Sequence, residues 1–122
     1  MIKSQQAESK PSVCWWKEPQ IPALRVELND DTFFVFPYIH FGFAKMETEK
    51  EKTILLLSFS THEVRISGKN LKELGIAIQR LSVEWIRKTH PRYVELAKKE
   101  VASIENIEIM ERSNESTVIL SP

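Results

Sequence analysis

Apolar and polar positions alternate strictly through Leu24-Arg25-Val26-Glu27-Leu28, with three apolar residues on one face and two charges on the other. That is the pattern of a half-buried strand. Asn29-Asp30-Asp31 supplies a turn. Phe33-Phe34-Val35-Phe36 follows, then Pro37, then Tyr38-Ile39-His40-Phe41-Gly42-Phe43. Proline cannot donate to a ladder, so Pro37 marks an edge, a bulge or a break between two short strands. The odd positions Phe33, Val35, Ile39, Phe41 and Phe43 are apolar throughout and are expected to face the core. The charged stretch Lys45 to Lys52 reads as a solvated turn. Thr53 to Phe59 and His62 to Ile66 form the strongest strand pair. Their apolar sets pass from odd (Leu55, Leu57, Phe59) to even (Val64, Ile66), which a turn or bulge at Ser60-Thr61 reconciles, because one inserted residue reverses the pleat.

The expected cover for this meander is a helix. Gly68 reads as the turn leading into it, Asn70 as its N-cap, and Glu73 completes a capping-box arrangement. Leu71, Leu74, Ile78, Leu81 and Trp85 follow a three-four spacing and form one stripe, so residues 70–88 read as a single long amphipathic helix. Burying those five side chains would contribute on the order of 10 kcal/mol before entropy is charged. Ile76 and Val83 fall away from the stripe, with Ile86 between, so the apolar arc is wider than a surface helix requires. Gly75 lies between the two ridges and permits close backbone approach. Either the chain termini or a second copy of the protein would cover the extra ridge.

Beyond His90-Pro91 the spacing of Val94, Ala97 and Val101 predicts a shorter helix over 92–103. Ile104 to Met110 alternates as a strand, and Thr117 to Leu120 reads as a final one. The expected fold class is therefore α+β: an antiparallel meander of about four strands on one long helix, then a shorter helix and one or two C-terminal strands. Residues 1–12 are polar and read as a flexible tail, with a single domain over 13–122. Val13-Cys14-Trp15-Trp16 interrupts that polarity. Adjacent tryptophans cannot share one face of a strand. The preferred reading clips this segment onto the domain edge, the alternative being an aromatic platform for a partner.

Composition narrows the function classes. A chain of 122 residues can bury ~65% of its unfolded surface, and 42% hydrophobic with 28% charged residues suits a globular fold. Lys plus Arg and Asp plus Glu both number 17, so no long-range field steers the protein onto nucleic acid or an anionic membrane. Arg80, Arg87, Lys88, His90 and Arg92 are interspersed with Glu84 and Glu95, which is a solvated face rather than a phosphate-binding patch. Cys14 is the single cysteine, which excludes an intrachain disulfide and favours a reducing cytoplasm. The first residues lack a signal-peptide core, and the longest apolar run, Ile54 to Leu57, is too short to span a bilayer.

Catalytic signatures are absent. His40, His62 and His90 have no ligand partners at metal spacing, and neither HExxH nor CxxC occurs. No GxSxG is present, and three glycines cannot build a phosphate loop. No metal, cofactor or catalytic residue is assigned. Tyr38 and His40 are expected on one strand face with His62 on a neighbouring strand, a patch that could do acid–base work or hold a polar ligand. The preferred reading is a non-catalytic cytoplasmic interaction or assembly module, a homodimer contacting through Trp15, Trp16, Ile76, Val83 and Ile86. The alternative is a small-ligand-binding domain or enzyme with a pocket lined by Tyr38, His40 and His62.

Overall fold

Strands continue well past the point where the apolar spacing predicts a helix. The computed structural model describes residues 13–90 and 101–112. In chain order these form β1 (Trp15–Lys17), β2 (Ala23–Asn29), β3 (Thr32–Pro37), a 3-10 turn (Tyr38–His40), β4 (Phe41–Glu49), β5 (Lys52–Phe59), β6 (His62–Lys69), α1 (Lys72–Gln79), β7 (Val83–Arg87) and β8 (Ser103–Glu111). Two four-stranded sheets result, ordered β1-β7-β2-β3 and β4-β5-β6-β8. β7 inserts between β1 and β2, antiparallel to the first and parallel to the second. All pairs in the second sheet are antiparallel. Among the described residues the expected meander on a long helix is thus replaced by two sheets with one short helix.

The inner faces meet directly. Phe36 of β3 stacks on Phe59 of β5 with centroids 4.8 Å apart. Leu24, Val26 and Ile86 from the first sheet join Leu55, Leu57, Val64, Ile66 and Ile104 from the second in one buried cluster, with Leu71, Leu74 and Ile78 of α1 added to it. At the far end Thr89 ties the sheets together: its N–H donates to the Ile104 carbonyl at 2.8 Å and its hydroxyl accepts the Ile104 N–H at 2.9 Å.

The helix expected over 70–88 keeps only its first two turns. Leu71, Leu74 and Ile78 are fully buried, as the stripe requires. Leu81 then takes φ 53°. Its N–H reaches the Ile78 carbonyl at 2.8 Å and that of Ser82 reaches the Ala77 carbonyl at 3.1 Å. This is a Schellman closure with leucine at the position glycine usually fills. The Ser82 hydroxyl adds a 3.1 Å bond to the same Ala77 carbonyl, and Val83, Trp85 and Ile86, all strand-favouring residues, continue as β7. The three-four spacing from Ile78 to Trp85 is coincidental. At the other end Asn70 is not the N-cap, a position held by Leu71 without a side-chain cap. Asn70 instead has φ 57° and donates to the Val101 carbonyl at 3.2 Å.

Three further expectations are corrected. The odd positions Phe33, Val35, Ile39 and Phe43 point outward, at 57%, 52%, 86% and 54% exposure. Cross-strand partners share a face, and β3 places Phe36 opposite Leu24 and Phe34 opposite Val26, so the even residues take the core side. The charged stretch 45–52 is mostly strand, its turn reduced to Lys50 and Glu51. Gly68 lies within β6, at a register shift against β8, where a Cβ would run into the Ser103 carbonyl oxygen. The turn at Ser60-Thr61 does reconcile the odd and even sets, pairing Leu55 with Ile66 and Leu57 with Val64. Of the shorter helix expected over 92–103, residues 92–100 lie outside the described residues, while 101 and 102 are not helical and Ser103 begins β8. The tail 1–12 and the strand 117–120 also lie outside them.

Two substitutions test this account by urea unfolding at unchanged m. Gly68→Ala should destabilise by about 2–3 kcal/mol, because the Ser103 backbone must move. Leu81→Gly should stabilise by roughly 0.5–1 kcal/mol: relief of left-handed strain contributes ~1–2 kcal/mol, and the added freedom of the unfolded chain offsets part of it.

Candidate interaction site

Among the described residues each open sheet leaves two edges, and β4 and β8, at nine residues each, are the longest of the four. Among the described residues β4 pairs only with β5. A bulge at Gly42 precedes a regular register from Phe43 to Glu49. Ala44, Met46 and Thr48 stand opposite Leu57, Leu55 and Thr53, all of them buried, so these three lie on the inner face. Phe43, Lys45, Glu47 and Glu49 therefore lie on the outer one, where Lys45 and Glu47 form an exposed ion pair at 3.1 Å. The inner face of β4 is incompletely covered, and Ala44 is exposed.

Helix α1 forms the opposite wall. Its backbone comes close at Gly75, where an added Cβ would meet Met46 Cε at 2.7 Å. Between helix and strand runs a groove of about 460 Å³ lined by Phe41, Ala44, Met46, Leu55, Gly75 and Ile76, with Lys72 and Gln79 supplying its polar groups. An edge strand with unpaired backbone groups beside an apolar trough can accept an extended chain.

A second cavity, of about 480 Å³, lies beside β1 and is lined by Val13 to Lys17 with Val101 and Ala102. The aromatic segment is clipped onto β7 there, Trp15 opposite Ile86 and Trp16 opposite Trp85. Both tryptophans are half-buried. Trp16 stacks on Trp85 at 6.4 Å and 11°, and the Arg87 guanidinium sits 4.5 Å from the Trp85 ring centroid. The Trp16 indole N–H donates to Glu18 Oε2 at 3.2 Å. Cys14 is buried, its thiol directed at the Ala102 carbonyl at 3.7 Å, and burial pushes its pKa up.

Other residues singled out by the sequence occupy different settings. Val83 and Ile86, expected on an exposed helix ridge, are fully buried in β7. Ile76 is half-buried and lines the β4–α1 groove. Tyr38 and His40 share a 3-10 turn, not a strand face. The Tyr38 hydroxyl is buried and donates to the Val83 carbonyl at 2.7 Å. Burial pushes its pKa up to about 12. His40 is exposed. His62 packs its ring 5.9 Å from Phe34 and 5.6 Å from Phe36, with Nδ1 2.8 Å from the Thr61 hydroxyl. None of these three lines either cavity. Among the described residues no group of three His, Cys, Asp or Glu side chains is placed to hold a metal, and no helix is long and apolar enough to cross a membrane. The groove was hidden within a stretch read as a turn. Its signal was the alternation of Ala44, Met46 and Thr48 with Lys45, Glu47 and Glu49.

Tyr38→Phe tests the buried hydroxyl. Its loss should cost about 1 kcal/mol near neutral pH. Because the folded pKa lies above the unfolded value of about 10, the hydroxyl's contribution is complete below pH 10 and declines as pH rises through about 12. The stability gap between wild type and Tyr38→Phe should therefore narrow across that window in urea titrations run at successive pH values. No protein-family model, no curated protein and no solved structure matches this chain.

Proposed function

We propose that this protein is a non-catalytic assembly module that binds a polypeptide as an added strand along β4. One observation carries the reading: the free edge of β4 runs beside the apolar groove under α1. Main-chain hydrogen bonds along such an edge supply affinity, and a trough for alternate side chains supplies selectivity. Apolar side chains entering it would cover Met46 and Ile76, which the core leaves half-buried. The acid–base alternative draws little support, since the Tyr38 hydroxyl is already committed to the Val83 carbonyl. A cytoplasmic setting is supported by the free, buried Cys14.

Panning a library of displayed peptides against the full chain tests the reading. Enriched peptides should carry apolar residues at alternate positions. Ala44→Arg, a change at an exposed site on the trough floor, should weaken them at least tenfold while leaving the melting temperature in place. Enrichment without that alternation, or peptides that bind Ala44→Arg equally well, would refute it.

A further inference from the structure

The charge pattern of β4 identifies a partner for its own edge. We infer that the strand added there is β4 of a second copy of this chain, running antiparallel in a register centred on Met46. The inference rests on the strand-addition reading above and goes on to name the occupant.

A two-fold axis normal to the sheet keeps each side chain on its own face. Residue i then stands opposite residue j of the second copy only where i and j share parity. Within the regular stretch Phe43 to Glu49, three such registers pair at least five residues. One centred on Lys45 sets Lys45 against Lys45. One centred on Glu47 sets Glu47 against Glu47. Like charges directly opposite are destabilising. The register centred on Met46 pairs the whole stretch and opposes no like charges. It sets Lys45 against Glu47 twice, once on each side of the axis, and Phe43 against Glu49. Lys45 and Glu47 already lie 3.1 Å apart within one chain, so four charges of alternating sign would form a closed cluster on the outer face. On the inner face Met46 meets Met46 at the mouth of the groove lined by Gly75 and Ile76. The β4-β5-β6-β8 sheets of the two copies would become one continuous sheet across the axis, and both β4 edges would disappear.

Sedimentation velocity on the full chain, with charge-swapped variants, tests this. Wild type should dimerise. Lys45→Glu and Glu47→Lys should each weaken the dimer by roughly tenfold, and the double variant Lys45→Glu/Glu47→Lys should restore it, since a reversed pair is equivalent. Met46→Cys should cross-link into a covalent dimer under mild oxidation, because the two copies of that position face each other across the axis. A dimer indifferent to the single swaps and not cross-linked through position 46 overturns the inference. So does a monomer at every concentration. If that monomer still captures alternating apolar peptides in an Ala44-dependent way, strand addition stands and only the identity of the strand is wrong.

Discussion

The contact on which the rest of the molecule depends is the one between the two inner sheet faces, centred on Phe36 against Phe59. Leu24 and Val26 fix which side of the first sheet is apolar, and Leu55, Leu57, Val64 and Ile66 do so for the second. Once those faces are pressed together, the face taken by the other residues of the regular strand stretches follows from their two-residue period. Phe34 and Phe36 turn inward because they pair with Leu24 and Val26, which leaves Phe33 and Val35 in solvent despite their apolarity. Arg25 partly shields this outer surface, with its guanidinium 5.9 Å from the Phe33 ring and its Nε bound to Glu27 at 2.9 Å.

The same constraint explains the role of α1. A sandwich of two twisted sheets leaves openings at its borders, and Leu71, Leu74, Ala77 and Ile78 fill one of them. Eight residues suffice for that, so a longer helix would carry its later turns beyond the apolar surface it covers. The Schellman closure at Leu81 returns the chain to the first sheet at the point where β7 is needed. Coverage by α1 reaches Met46 at Gly75 but stops short of Ala44, and this shortfall leaves the groove open. Fold and candidate site therefore share an origin: the helix seals the core but not the β4 border.

How much of this was legible in the sequence depended on the competing periods. β2 and β6 were readable because their alternation is strict, β5 because it is a short apolar run, and the turns beside them carry Asn29-Asp30-Asp31 and Ser60-Thr61. The first turns of α1 were readable for the same kind of reason. The chain from Arg80 to Arg87 was misread because Leu81 and Trp85 extend the helical spacing by accident, and a leucine at positive φ announces no stop. The faces of β3 were misread because both its odd and even positions are apolar, so only pairing with β2 could decide between them. In β4 the charges drew attention to the outer face and away from the small apolar residues between them. The groove itself depends on how far α1 extends over β4, a tertiary quantity that no local pattern encodes.

The insertion of β7 between β1 and β2 has a consequence for how the protein is made. Strands β2 to β6 are linked by tight turns and a single 3-10 turn, so their contacts are local and can form as the chain emerges. β1 has no partner until residues 83–87 exist, and β2 waits for the same five residues on its second side. Loop-closure entropy places such distant pairings late. The first sheet is thus completed from its β2–β3 edge across to β1, and until β7 arrives the segment carrying Trp15 and Trp16 has no strand to pair with among the described residues. A chain released before Arg87 would hold most of the second sheet and only a hairpin of the first, so the interval between synthesis of β3 and β7 is the period of greatest exposure to aggregation.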